Sequence, residues 1–224
     1  MQNLPPEPIT WTLAPLGEGG LLLRGEPVSP LVNRYALALA EALLAQPLPG
    51  LLSAVPAVNS LLVTFDPLRL DGALLATEVQ ALLATVAPAP AEPSRVVTIM
   101  VQYGGSAGPD LDEVAEHLGM TPAQIMRRLE QTVLRVLMIG FAPGFPYLGP
   151  LPPELHLPRR ATPRTAVPPG SVAIAAGMAG IYPARLPGGW HLLGRTEQIL
   201  FEPTREPPTL LQPGDGVRFV PINQ

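Results

Sequence analysis

The residue pattern predicts an α+β fold in two parts, a small N-terminal α/β sandwich followed by a β-rich domain of barrel or sandwich type. Three observations carry this. Residues 1–90 run strand, strand, helix, strand, strand, helix, an order that gives a sheet covered on one face by two helices. Ala87-Pro88-Ala89-Pro90-Ala91-Glu92-Pro93-Ser94 follows, and alternating Ala and Pro favours an extended, semi-rigid spacer. The domain boundary is placed there, giving domains 1–90 and 91–224. Beyond it, short apolar runs are punctuated by Pro and Gly, densest from Pro143 to Gly189. The chain's 31 prolines and 21 glycines are too many for a helical bundle and suit all-β structure.

Ile9 to Leu13 and Leu21 to Arg24 are predicted strands, joined by the turn Gly17-Glu18-Gly19-Gly20. Ser29 before Pro30 is a helix start, a serine N-cap with proline at the first helical position. That helix is expected to reach about Gln46, burying Leu31, Tyr35, Leu39 and Leu43, and to end at Pro47 and Pro49. Leu51 to Val55 and Ser60 to Phe65 form the next strands, and a helix over about Leu70 to Val86 carries Leu75, Val79, Leu82 and Val86 on one stripe. The second domain opens with a strand, Arg95 to Tyr103, and two short helices. Asp110 with Glu113 is the expected cap of the first helix, and Thr121 with Gln124 that of the second. Their apolar stripes are Leu111, Val114, Leu118 and Ile125, Leu129, Val133. Strands are then predicted at Leu134–Ile139, Ser171–Ala176, Trp190–Leu193, Gln198–Glu202 and Val217–Val220.

Composition excludes several functions. There is no cysteine, and all 14 basic residues are arginine. Disulfides, thiolate metal sites and cysteine nucleophiles are ruled out. So are a lysine-containing phosphate loop, Schiff-base chemistry and a biotinyl-lysine. The net charge of -4 offers no cationic footprint for nucleic acid. No apolar run reaches the roughly 20 residues of a membrane span, and Met1 to Pro8 lack the features of a signal peptide. A cytoplasmic location is expected. His117, His156 and His191 show no metal-ligand spacing, so no metal is expected.

The most informative stretch is Gly140-Phe141-Ala142-Pro143-Gly144-Phe145-Pro146-Tyr147-Leu148-Gly149. It continues through Pro158-Arg159-Arg160-Ala161-Thr162-Pro163-Arg164-Thr165 and Pro168-Pro169-Gly170-Ser171-Val172. It closes with Gly180-Ile181-Tyr182-Pro183 and Pro187-Gly188-Gly189-Trp190-His191-Leu192-Leu193-Gly194-Arg195-Thr196. These are tight loops carrying aromatics and arginines between strands, where function tends to sit. The stretch, with Tyr103-Gly104-Gly105 and Gly108-Pro109-Asp110-Leu111, resembles the signature of the family of B-type subunits of 5-oxoprolinase, also called KipI-like or allophanate hydrolase subunit 1. The likeness is close from about Tyr103 to Pro221.

The resemblance implies a cyclophilin-like β-barrel after the N-terminal domain. It implies a share in ATP-dependent cleavage of 5-oxo-L-proline to L-glutamate, with the A-type and C-type subunits of 5-oxoprolinase as partners and ATP used by the complex. Two alternatives come from the same family: a KipI-like regulator that inhibits a histidine kinase, and a component of a urea-carboxylase or allophanate-hydrolase type complex. The sequence departs from the family pattern at Leu129, where a histidine is usual, at Leu134, usually aromatic, and at Met178-Ala179, usually a polar pair. These exchanges are expected around one pocket.

Candidate substrate-binding residues are Phe141, Pro143, Gly144, Phe145, Tyr147, Arg160, Thr162, Arg164, Tyr182, Pro183, Gly188, Gly189, Trp190 and Arg195. The catalytic residues are unknown. Arginine offers a planar fork for carboxylate or phosphate. Arg159, Arg160 and Arg164 share one loop, and Arg164 is favoured over Arg159 as a ligand contact. Each of them is also compatible with an ion pair to a barrel carboxylate, and the aromatics with plain barrel packing. Gly104-Gly105-Ser106-Ala107-Gly108 fits a nucleophile-elbow pattern. Pro109 follows at once, however, so the sharp strand-to-helix turn is missing and a serine hydrolase is not expected.

Overall fold

The computed structural model describes residues 8–46 and 48–222. Pro47, expected to help end the first helix, lies outside them, as do residues 1–7 of the segment inspected for a signal peptide. The chain divides into two compact units, Met1–Ala91 and Glu92–Gln224.

In the first unit, β1 (Thr10–Pro15), β2 (Gly20–Glu26), β3 (Leu51–Pro56) and β4 (Ser60–Phe65) form an antiparallel sheet in the order β1-β2-β4-β3. Leu21, Leu23, Leu61, Val63 and Phe65 alternate onto one face. There they are buried with residues of α1 (Pro30–Ala45) and α2 (Gly72–Thr85). Ser29 caps α1 by accepting a hydrogen bond from the Val32 N–H, with Pro30 in the first turn. The buried stripe of α1 is Val32, Ala36, Leu39, Ala40 and Leu43. Leu31 and Tyr35, expected in that stripe, are only half-buried. Small Ala36 and Ala40 let the helix lie close to the sheet, so the contact face turns toward them. Helix α2 begins at Gly72 rather than Leu70, because the Asp71 carboxylate accepts from the Ala73 and Leu74 N–H groups. It buries Leu75 and Val79, while Leu82 and Val86 are half-buried.

The second unit contains β5 (Val96–Tyr103), α3 (Leu111–Leu118), α4 (Pro122–Gln131), β6 (Leu134–Ile139) and β7 (Pro146–Gly149). After them come β8 (Arg164–Val167), β9 (Ser171–Ala175), β10 (Met178–Ile181), β11 (Leu186–Gly188), β12 (His191–Arg195) and β13 (Gly216–Pro221). Seven strands close a barrel in the order β10-β7-β6-β13-β5-β12-β9, and the β9–β10 pairing completes the ring. The β-rich domain is therefore a barrel and not a sandwich. Strands β8 and β11 form a separate ribbon. Ile99, Val101, Val136, Leu148, Val217 and Phe219 are among the side chains of the barrel core, each contributing about 1.5–3 kcal/mol by burial.

Several expectations in this unit are corrected. The Thr121–Gln124 capping box forms, but Asp110 makes no capping bond to α3, because its carboxylate is engaged elsewhere. Gln198–Glu202 is not a strand; Phe201 makes a single bridge to Thr209. Here the Gln198 side chain accepts from the Met100 N–H and donates to the Thr98 carbonyl. The segment thus meets the edge of β5 through a side chain and not through a ladder. Val133 follows α4 and is exposed. Leu129 and Leu134 are fully buried in the barrel core, whereas Met178 packs on a separate aromatic cluster. Of the departures from the family pattern, Leu129, Leu134 and Ala179 are buried in the same barrel core, and Met178 alone packs elsewhere. Among the described residues, no helix is long and apolar enough to cross a membrane.

Candidate functional site

The loop from β6 to β7 sets an aromatic cluster against the barrel wall. Phe145, 2% exposed, is its hub. Its ring meets Phe141, Tyr182 and Trp190 edge-on at 5.5, 5.1 and 5.8 Å between centroids, and Tyr147 at 5.0 Å. Edge-to-face packing sets the positive edge of one ring on the negative face of the next and adds about 0.5–1.5 kcal/mol per pair. Gly180 makes the cluster possible. It pairs with Tyr147 across the β10–β7 ladder, and a Cβ there would come within 2.8 Å of Phe145 and 3.0 Å of Trp190.

These rings wall a cavity of about 230 Å³ lined by Phe141, Phe145, Tyr147, Arg159, Pro163, Tyr182, Pro187, Gly188, Gly189 and Trp190. Phe141 stands at its rim, 60% exposed, with a φ of 68°. An aromatic residue in the left-handed region costs of order 1–3 kcal/mol, and such residues cluster at ligand clamps. Burial pushes the Tyr147 and Tyr182 phenols up, while the positive charge of Arg159 pulls each partly back. Both are therefore neutral hydroxyls able to donate. Gly188 leaves the space that the Tyr182 hydroxyl occupies. A methyl there would overlap the hydroxyl and lie 2.7 Å from Cζ, and buried Tyr182 cannot swing into solvent. Gly188→Ala is expected to destabilise the second unit by about 1–3 kcal/mol and to reshape the cavity, measured by thermal denaturation and by loss of ligand binding.

The loop arginines divide between two tasks. Asp110 is 3% exposed. Its carboxylate accepts from Arg164 Nη1 at 2.9 Å and Nη2 at 2.7 Å, from Arg160 Nη1 at 3.1 Å, and from the Leu192 N–H at 2.7 Å. This ties the start of α3, the 159–164 loop and β12 together. Arg160 also lies 3.6 Å from Glu113. Burial by itself pushes the Asp110 carboxyl up. The Arg164 hydrogen bonds, the Leu192 N–H and the charges of Arg164 and Arg160 outweigh it and hold the group below its ordinary value. A lowered folded value makes this stabilisation fully present above the ordinary carboxylate range and lost as pH falls through the folded value. Thermal stability is expected to drop as pH falls below the ordinary carboxylate range, and Asp110→Asn to flatten that part of the profile.

Arg159 is different. It lines the aromatic cavity and has no hydrogen-bond or ion-pair partner among the described residues. It also lines a second cavity of about 400 Å³, with Glu113, Val114, His117, Leu157, Pro158, Arg160, Ala161, Thr162 and His191.

Of the residues expected at a site, Phe141, Phe145, Tyr147, Tyr182, Gly188, Gly189 and Trp190 converge on the smaller cavity. Arg160 and Thr162 line the larger one. Arg164 is committed to Asp110, and Pro143, Gly144, Pro183 and Arg195 line neither cavity. Gly144, at φ 80°, supports the loop from behind, where a Cβ would meet Phe201 at 2.7 Å. Sequence reasoning ranks Arg159 behind Arg164, and leaves out Pro163, Pro187, Glu113, His117 and His191. The Pro158-Arg159-Arg160 run is the available signal for Arg159.

Residues 11–211 match the family model described as carboxyltransferase domain, subdomain C and D. A protein of Escherichia coli O157:H7 named as the B-type subunit of 5-oxoprolinase is 42% identical, covering 92% of this chain and 94% of the relative. Its namesake from Bacillus subtilis is 37% identical, covering 96% and 95%. The crystal structure of TTHA0988 superposes with a TM-score of 0.79 at 45% identity, over 92% of this chain but only 40% of that longer one. With a family match across most of its length and such identities, this chain belongs to the family of carboxyltransferase domains, subdomains C and D.

Proposed function

We propose that the chain is one component of an ATP-dependent 5-oxoprolinase complex that cleaves 5-oxo-L-proline to L-glutamate together with the A-type and C-type subunits. The observation that carries this is the small aromatic cavity with an unpartnered guanidinium at its edge. The ligand is a five-membered lactam bearing one carboxylate. Its flat ring suits aromatic walls, its carboxylate suits the Arg159 fork, and the Tyr147 and Tyr182 hydroxyls suit the lactam carbonyl. The relatives named as B-type subunits of 5-oxoprolinase support the same reading.

A lactam is a poor electrophile. Transfer of a phosphoryl group from ATP to the lactam oxygen releases ADP and activates the carbon. Water then adds there and the C–N bond breaks, so the ring nitrogen becomes the amine of glutamate and the carbon is left as an acyl phosphate. A second water attacks it, phosphate leaves, and the side-chain carboxylate forms. On this chain, Arg159 orients the carboxylate and offsets the charge that develops on oxygen.

Titrating the purified chain with 5-oxo-L-proline, and separately with pyrrolidinone, which lacks the carboxylate, tests the assignment. Saturable binding of the acid with at least tenfold weaker binding of pyrrolidinone is expected. Equal affinities would remove Arg159 from its role, and no binding of the acid would remove the cavity.

A further inference from the structure

We propose that the larger cavity is a separate binding site for a phosphoryl group, divided from the aromatic cavity by Arg159. The side chains are the argument. Arg159 and Arg160 both line it, and so do His117, Thr162 and His191. Of these, Arg159 has no partner among the described residues. Arg160 spends Nη1 on Asp110 and Glu113, while its Nε is buried with no hydrogen-bond partner. The one carboxylate in the lining, Glu113, already faces Arg160, so an unneutralised guanidinium remains. A lone carboxylate ligand needs one arginine. His191 spends Nε2 on the Pro158 carbonyl, which leaves the free Arg159 guanidinium, the unpartnered Arg160 Nε, Thr162 and the His117 imidazole. More donors than one carboxylate needs, they suit a group with more oxygens and more charge, which is a phosphoryl group.

The volumes fit a division of labour. About 230 Å³ suits a small cyclic acid, and about 400 Å³ suits the larger carrier of a phosphoryl group. Arg159 faces both cavities, so one guanidinium can hold the acid and stabilise charge on a group passing between the sites. The existence of the anion site stands on its own residues; its role beside the acid rests on the function proposed above.

The test is calorimetric titration of the full chain with inorganic phosphate, with ATP, and with 5-oxo-L-proline. Saturable phosphate or ATP binding is expected. His117→Ala and Thr162→Val, both at exposed positions, should weaken it about three- to tenfold and leave 5-oxoproline affinity alone. Arg159→Gln should weaken both. ATP binding without free phosphate binding would assign the site to a nucleotide, and binding of both to the phosphoryl group itself; either supports the proposal. No binding of either, or binding that both substitutions leave unchanged, overturns it. Anion binding as described with no 5-oxoproline binding supports the anion site and overturns only the reading of the aromatic cavity.

Discussion

Asp110→Ala is expected to destabilise the barrel unit by about 3–5 kcal/mol, the range for removing one partner of a buried ion pair. Arg164 and the Leu192 N–H would be left without their acceptor, and Arg160 with Glu113 alone. Arg160 and Arg164 are each about three-quarters shielded, with side-chain exposures of 25% and 27%, so solvent cannot fully replace the lost contacts. The loss is structural before it is functional, since the carboxylate joins the 159–164 loop to α3 and β12. A fall in melting temperature of roughly 10–20 °C follows from that energy, and denaturation monitored by circular dichroism measures it. A change under a few degrees would mean that the four hydrogen bonds contribute little to the fold.

Arg159→Gln is expected to do the reverse, sparing the fold and weakening the ligand. An exposed side chain without partners contributes within about 0.5 kcal/mol to stability. Losing a charge-assisted hydrogen bond to a carboxylate costs about 1.5–3 kcal/mol, or roughly 10- to 100-fold in affinity. The pair of substitutions separates two roles within one loop. Asp110→Ala should lower the melting temperature sharply, and Arg159→Gln should raise the dissociation constant for 5-oxo-L-proline at unchanged melting temperature. An unchanged dissociation constant would place the carboxylate elsewhere.

What is legible in the sequence is local or periodic. Ser29-Pro30 and the Thr121–Gln124 box are short-range chemistry, and both form as the residues dictate. The Phe141 to Gly149 stretch announces an aromatic loop site, and its three rings do converge. What is not legible depends on partners distant in sequence. Asp110 looks like a helix cap because its neighbours are helical. The arginine that claims its carboxylate lies 54 residues later. For the same reason Arg164 resembles the ligand arginine and Arg159 does not, since the freedom of one depends on the commitment of the others. Strands β7, β8, β10 and β11 have only three or four residues each, too few for alternation to register. The resemblance sets Leu129, Leu134 and Met178-Ala179 around one pocket; Leu129, Leu134 and Ala179 do meet, as apolar volume in the barrel core, while Met178 packs on the aromatic cluster.

The proposed participation of this chain in ATP-dependent opening of 5-oxo-L-proline is tested most directly by glutamate release. The chain is mixed with A-type and C-type subunits of 5-oxoprolinase, the partners proposed for it, and assayed with and without ATP. Glutamate is expected only when ATP, 5-oxo-L-proline and all partners are present, at a rate that falls when Arg159→Gln replaces the wild-type chain. A folded, assembled complex that consumes no 5-oxo-L-proline, or one that works equally well without ATP, would contradict that role.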